Sequence, residues 1–344
     1  MSDALPSPAA ADVLLDINDL VVHFPAGRRG LFGKPSKVHA VDGVSFRVRR
    51  GTTFGIVGES GSGKSTTAQA VMRLLPITSG QIVFGGDNIA DFRGERMRLA
   101  RSKFQIVFQD PFSSLDPRRR AGDLVREPLD LLGIGSPRER DARVQQLLAE
   151  VGLPPQAADL FPHQFSGGQR QRLCIARAMA PEPELIVCDE AVSALDVAIQ
   201  AQILNLLKKL QRERDLTYIF ISHDLGVIQH FCDDVAVMYL GKIVEQAPAP
   251  EFFSAPRHPY SWSLVAAAAP PGELRDRLKQ QYLVQGDPPS PVDPPPGCRF
   301  AKRCPFVIEK CREELPALSV TGPGHFVACH RIDQIEAPNF ARSR

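Results

Sequence analysis

The chain has 344 residues, enough for two domains or for one with sizeable appendages, and its 43% hydrophobic and 23% charged residues are ordinary for a soluble globular protein. A formal net charge of +2 gives no electrostatic case for nucleic acid, and the densest basic run, Arg118-Arg119-Arg120, reads as a solvated loop. No run of about 18 apolar residues is present to span a bilayer, and Met1 to Asp12 carry neither Lys, Arg nor an apolar core, so the sequence predicts a chain without a secretory signal that stays in the cytosol.

From Leu14 to Phe54, short apolar runs such as Leu20-Val21-Val22 and Val44-Ser45-Phe46-Arg47-Val48 alternate in the manner of β-strands. Phe54-Gly55-Ile56-Val57 reads as a buried strand. It runs into Gly58-Glu59-Ser60-Gly61-Ser62-Gly63-Lys64-Ser65, which matches the phosphate-loop pattern G-x-x-x-x-G-K-[ST]. The glycines let the backbone wrap around phosphate oxygens with successive N–H groups inward. Lys64 supplies a point charge for the β- and γ-phosphates, and Ser65 offers a hydroxyl to Mg2+. A helix opening here, with Thr66 in its first turn as a further nucleotide-binding residue, adds its positive end. Ala68, Val71, Met72 and Leu75 form its apolar face, and Pro76 stops it.

Phe112 to Ala180 looks mainly helical, with Val144, Leu147, Leu148 and Val151 striping the helix Arg138 to Val151. Strand-like segments return at Leu185 to Cys188, Thr217 to Ile221 and Val235 to Tyr239. Between the first two, a helix carries Ile199, Ile203, Leu206, Leu207 and Leu210 on one face. Strand–helix alternation of this kind predicts an α/β fold with a mainly parallel sheet, into which the helical stretch is inserted. The strand Leu185 to Cys188 ends in two carboxylates. Asp189 fits the second holder of Mg2+, and Glu190 is placed to polarise water for in-line attack on the γ-phosphate.

After about Ala247 proline becomes frequent, culminating in Pro288-Pro289-Ser290-Pro291 and Pro294-Pro295-Pro296-Gly297, which predicts a separate C-terminal module on a stiff connection. Seven cysteines in a reducing compartment argue against disulfides, yet Cys298, Cys304, Cys311 and Cys329 cluster in the last fifth of the chain. Their spacing lacks the Cys-x2-Cys clamp of a zinc ribbon, and four soft thiolates suit an iron–sulfur cluster as well as zinc.

Phe165-Ser166-Gly167-Gly168-Gln169-Arg170-Gln171-Arg172 resembles the signature loop of the ATP-binding-cassette (ABC) family, whose small residues open a helix and make an anion site of exposed N–H groups. The resemblance implies a P-loop NTPase fold with an N-terminal antiparallel β subdomain. The ABC ATPase domain is expected at 14–250 with its helical subdomain at about 112–180, and a C-terminal tail at 251–335. It also implies that ATP is sandwiched between the phosphate loop of one subunit and Ser166, Gly167, Gly168 and Gln169 of another. Gln109 then corresponds to the glutamine that touches Mg2+ and the attacking water, Asp196 to the loop crossing the dimer interface, and His223 to the switch histidine at the γ-phosphate. Phe24 is the residue expected to stack on adenine, with Phe32 and His39 as alternatives across an insertion. One departure stands out: the family's proline after the catalytic glutamate is Ala191 here, which restores backbone freedom and an N–H.

Phe108-Gln109-Asp110-Pro111-Phe112-Ser113-Ser114-Leu115-Asp116-Pro117 and Pro256-Arg257-His258-Pro259-Tyr260-Ser261 are similar to the oligopeptide and dipeptide importers, and the insertion Pro25 to Lys37 is closest to their F-type ATPase. That resemblance implies a peripheral subunit on the cytoplasmic face of the membrane. It would pair with a related D-type ATPase beneath two permeases and an external peptide-binding protein, with a [4Fe–4S] cluster on the four tail cysteines. Nickel chelates or glutathione as cargo, and a soluble ABC ATPase without a permease, are the alternatives.

Overall fold

The computed structural model describes residues 12–28, 35–268 and 286–336. They fall into two compact units: Val83–Ile221 with Val48–Thr52 and the chain up to Leu15, and Asp16–Arg47 with Thr53–Ile82 and the chain from Ser222 on. The strands Val13–Arg28, Pro35–Arg49 and Ser79–Phe84 run through both, and Phe84 pairs antiparallel with Asp87 in a hairpin. Instead of the short runs expected between Leu14 and Phe54, two strands of 16 and 15 residues form, the first extending into the insertion as far as Arg28.

In the first unit Phe104–Val107, Leu185–Asp189 and Thr217–Ile221 lie side by side in parallel, with Val107 opposite Cys188 and Cys188 opposite Phe220. Every residue of the last two strands is buried, which explains their unbroken apolar runs. The stretch expected to be helical contains Ala121–Leu132, Pro137–Glu150 and Gly167–Met179, packed on one another. Pro137–Glu150 starts where Ser136 and Glu139 form a reciprocal capping box, and Val144, Leu147 and Leu148 fill its buried stripe as expected. The helix Val197–Arg214 buries Ile203, Leu206, Leu207 and Leu210.

In the second unit Thr53–Val57 runs parallel to Asp234–Tyr239, and Lys242–Pro248 returns antiparallel to the latter. The helix after the phosphate loop, Lys64–Val71, ends at Met72 before reaching Pro76, so Leu75 is only half-buried whereas Ala68, Val71 and Met72 are buried. The C-terminal segment does not stand apart from this sheet. His325–Val327 pairs antiparallel with Lys242–Pro248, Glu245 opposite Val327, and Ser319–Gly322 adds a further strand. Residues 269–285 lie outside the described residues, as does Phe32.

Glu245 joins these pieces. Its side chain is fully buried and accepts hydrogen bonds from the backbone N–H groups of Arg257 and His258, both at 2.8 Å, and contacts His325 Nε2 at 2.7 Å. Replacing Glu245 by Ala strands all three polar groups in a dry interior. The substitution is expected to lower the unfolding free energy by about 3 kcal/mol, read as a shifted urea midpoint; an unmoved midpoint would contradict this role for the carboxylate.

Candidate functional site

The expected site residues divide between the two units. The phosphate loop, Phe24, His223 and the four tail cysteines belong to the second, and Gln109, the signature loop, Asp189, Glu190 and Asp196 to the first.

The phosphate loop is closed by backbone approaches that no side chain would permit. A Cβ on Gly58 would lie 2.2 Å from the Met238 carbonyl oxygen, and one on Gly63, at φ +106°, 2.2 Å from that of Ala40. Gly63 caps the helix Lys64–Val71 and brings no side chain to its first-turn N–H groups. The Lys64 side chain is buried and donates to the carbonyl oxygens of Gly58 and Glu59 at 2.8 and 2.9 Å. Ser62 Oγ is buried without a hydrogen-bond partner among the described residues. A buried ammonium, an orphaned hydroxyl and a glycine-lined turn at a helix start fit a polyphosphate. Ser65 is exposed at the loop's end, with Ser60 and Gly61, and Thr66 is half-buried.

Glu59, one of the variable positions of the pattern, is held from outside the loop. Its N–H donates to the Tyr260 hydroxyl at 2.9 Å, and its carboxylate receives both arms of Arg303 at 2.8 and 3.1 Å. Sequence reasoning missed these two residues: Tyr260 lies inside a segment used only to place the chain in its subfamily, and Arg303 directly precedes a cysteine read for its sulfur alone.

Phe24 is half-buried near the end of Val13–Arg28. Beside it in sequence, His23 Nε2 meets Asp42 Oδ1 at 2.9 Å, and His39 Nδ1 lies 3.3 Å from the same oxygen with the two rings 4.0 Å apart. The other oxygen of Asp42 takes Arg299, with Lys242 at 3.9 Å. Burial alone would raise the Asp42 pKa, but the His23 hydrogen bond and the nearby cations hold it below its ordinary value. Two histidines and a carboxylate have the spacing of a metal site, but the adjacent guanidinium and ammonium already neutralise the acid and would repel a divalent ion. The cluster is an ion-pair hub. His223 is exposed directly after Ser222, and Asp224 caps the short helix Leu225–Phe231 that follows.

In the first unit Gln109 and Glu190 meet: the Gln109 amide donates to Glu190 Oε2 at 3.0 Å. Asp189 is buried at the end of its strand, and Glu190 lies just beyond in the left-handed region at φ +50°, sparsely populated by such a residue and a mark of a constrained site. A following proline would disfavour helical conformations at that position, whereas the buried Ala191 imposes no such restriction. The backbone of Glu190 is nevertheless held from both sides. Its N–H donates to Ile221 O at 3.0 Å, and its carbonyl accepts from Ser193 N and Oγ at 3.1 and 2.9 Å.

The signature loop opens the helix Gly167–Met179 with a capping box in which Ser166 N–H donates to Gln169 Oε1 at 2.9 Å and Gln169 N–H to Ser166 Oγ at 3.3 Å. Gly168 is required by packing, since a Cβ there would come within 2.5 Å of Ile199 Cγ2. Asp196, expected at a subunit interface, caps the helix Val197–Arg214 by accepting from Ile199 N–H at 2.9 Å.

Cys298, Cys304, Cys311 and Cys329 line one cavity of about 20 Å³, with His258 and Phe300 among its other walls. Cys298 N–H donates to Cys311 O at 2.8 Å and Arg331 N–H to Cys329 Sγ at 3.4 Å. Burial pushes the Cys298 and Cys304 thiols up to about 11 and about 12, and the neighbouring cysteines add to the shift. A cation in the cavity would reverse that preference, as it does wherever thiolates bind metal. The four soft donors thus fit a metal or an iron–sulfur group.

The model of the ABC transporter family matches residues 41–193, and that of the oligopeptide/dipeptide transporter C-terminal region matches residues 244–311. The chain is 48% identical over 325 residues to the oligopeptide transport ATP-binding protein AppF of Bacillus subtilis, covering 94% of this chain and 98% of that protein. It is likewise 48% identical over 320 residues to the probable peptide ABC transporter ATP-binding protein y4tS of Sinorhizobium fredii, covering 93% and 90%. Among solved structures it resembles the ATP-binding cassette MJ0796, a dimer in a post-hydrolysis state bound to ADP and Pi, with TM-score 0.60, 28% identity and coverage of 68% of this chain and 98% of that one. The cbiO1 protein of Clostridium perfringens, part of the ABC transporter complex cbiONQ, matches with TM-score 0.60 and 29% identity over 70% of this chain and 91% of that one.

Because Gly63 combines a left-handed φ with contact against Ala40, Gly63→Ala is expected to cost about 2 kcal/mol of stability and to abolish retention of MgATP. Urea unfolding and equilibrium dialysis measure the two effects. Normal dialysis behaviour would show that the loop does not need this closure.

Proposed function

The chain belongs to the ABC transporter family and is one of its ATPases, and from that premise we propose that it energises the import of peptides through a pair of membrane permeases. The observation that carries this reading is the joint match to the ABC cassette and to the oligopeptide/dipeptide transporter C-terminal region, continuous with relatives whose names specify peptide transport. Among the described residues no helix is long and apolar enough to cross a membrane. The proposed partners are two permeases, an external peptide-binding protein and a related D-type ATPase. The proposed place is the cytoplasmic face of the membrane.

Gly58, Glu59, Ser60, Gly61, Ser62, Gly63, Lys64, Ser65 and Thr66 are the proposed phosphate site, with Phe24 against adenine. Mg2+, which Ser65, Gln109 and Asp189 would hold, supplies charge neutralisation at the terminal phosphates. Lys64 contributes its buried ammonium to the same oxygens. Glu190 is the group that orients and polarises the attacking water, Gln109 fixes the Glu190 carboxylate through their hydrogen bond, and His223 contacts the γ-phosphate. Ser166, Gly167, Gly168 and Gln169, with Asp196, serve the nucleotide bound by the partner ATPase. Ser166 Oγ, which accepts the capping N–H of Gln169, would donate its own hydroxyl proton to a phosphate oxygen.

The proposed tail group is a [4Fe–4S] cluster on Cys298, Cys304, Cys311 and Cys329, acting as a staple for a proline-rich segment. Four thiol side chains lining one cavity are the donor set that such a group takes.

Glu190→Gln is expected to leave MgATP binding intact, to slow hydrolysis by about 100- to 1,000-fold and to accumulate closed dimers with the partner ATPase. Wild-type phosphate release from this variant would remove Glu190 from its role. Protein purified without oxygen is expected to be brown, with about four iron atoms per chain; a colourless preparation carrying stoichiometric zinc would replace the cluster by that metal. Recovery of the two permeases with the chain from detergent-solubilised membranes supports the import reading, and recovery with ribosomes or DNA instead would favour a soluble ATPase.

A further inference from the structure

Glu59 is bonded at three points: by Lys64 at its carbonyl, by Tyr260 at its N–H and by Arg303 at its carboxylate. Only the first of these partners belongs to the phosphate loop. The Arg303 side chain is 9% exposed, and its guanidinium also reaches the Tyr239 hydroxyl at 3.3 Å. The rings of Tyr239, Tyr260 and Phe300 pack against one another at centroid distances of 4.7 to 5.5 Å, which fixes the two hydrogen-bonding groups in place. A second guanidinium from the same segment, Arg299, is 8% exposed and pairs with Asp42, two residues from the Ala40 carbonyl on which Gly63 closes.

We infer that Arg303 is a positioning residue of the nucleotide site, acting through Glu59. Two effects follow from its geometry. A two-pronged guanidinium–carboxylate pair fixes direction as well as distance, so it holds the Glu59 backbone, and with it the loop's first turn, in the conformation a polyphosphate needs. The ordering is then present before the ligand arrives, which removes an entropic cost from binding. The same pair also cancels a carboxylate that would otherwise stand unneutralised in a loop built for an anion. A fold element about 240 residues away in sequence thereby contributes to ATP affinity without touching the nucleotide.

This inference rests on the loop being the ATP site, and a double-mutant cycle in the full-length chain separates the two claims. MgATP affinity is measured by calorimetry for the wild type, Arg303→Gln, Glu59→Gln and the double variant, with melting temperature and tail metal content recorded for each. Each single change is expected to weaken binding about tenfold, or about 1.4 kcal/mol. The double variant is expected to remain near tenfold, because both changes remove one interaction. Additive losses, near a hundredfold in the double variant, or wild-type affinity in Arg303→Gln would overturn the inference. Arg303→Lys keeps the charge and loses the fork; it is expected to weaken binding about threefold and decides the matter if Arg303→Gln does not fold, with unchanged affinity counting against the proposal. A wild-type chain that retains no MgATP would sink the ATP-site reading itself. One that binds MgATP with indifference to position 303 sinks only the inference.

Discussion

An ammonium group taken out of water is costly unless its charge is met on the spot, and the Lys64 side chain is only 5% exposed. The carbonyl oxygens of Gly58 and Glu59 meet part of that charge, so the lysine draws its own loop into a ring. The ring closes only because Gly58 and Gly63 have no side chain at the points where Met238 and Ala40 approach. Carbonyl dipoles satisfy two of the ammonium's hydrogen bonds. The strand Thr53–Val57, the helix Lys64–Val71 and the neighbouring strand Asp234–Tyr239 each supply one side of this closure.

Much of this was legible in the sequence because the chemistry is local. A strand, eight loop residues and a helix start are contiguous, and so are the strand Leu185–Asp189 and Glu190. The buried parallel strands betrayed themselves as unbroken apolar runs, and the stripe Val144, Leu147 and Leu148 marked a helix. Extents were less legible. The helix after the loop stops at Met72 and not at Pro76, because local pattern marks where a helix must end by the latest, not where its last bond forms. The tail was harder still. Its proline runs suggested independence, yet three residues, His325–Val327, bond to a sheet edge about 80 residues earlier in the chain, and no periodicity in so short a strand reveals its partner.

Side chains that do two things were read for only one of them. Ser166, Gly168 and Asp196 were identified by their place in family motifs, but within this chain Ser166 and Asp196 satisfy helix N-termini and Gly168 admits Ile199. The local role explains how the residues are presented. A cap holds its side chain at the open end of a helix, which is also where an anion would be received. Ala191 shows the converse. Loss of the family's proline suggested a looser Glu190, but its N–H donates to Ile221 O and its carbonyl accepts from Ser193.

The buried carboxylate of Glu245 explains how the C-terminal half of the second unit comes to bear on the phosphate loop. By accepting from the N–H groups of Arg257 and His258 it fixes the turn from which the helix Pro259–Ala268 departs. His258 is fully buried, and burial lowers its pKa to about 4, so near neutral pH its ring is uncharged and Nδ1 can accept from Tyr260 N–H at 3.1 Å. That bond sets the first turn of the helix, and the first turn sets the Tyr260 hydroxyl against Glu59 N–H. A sheet-edge strand, a buried acid, a neutral imidazole and a phenol therefore form one line of contacts ending on the loop. Because Arg299 and Arg303 flank Cys298 and Cys304 in sequence, whatever orders the cysteines also orders the two guanidinium groups that grip Asp42 and Glu59. The four-cysteine tail is thus tied to the phosphate loop through Glu59 and to the strand Pro35–Arg49 through Asp42.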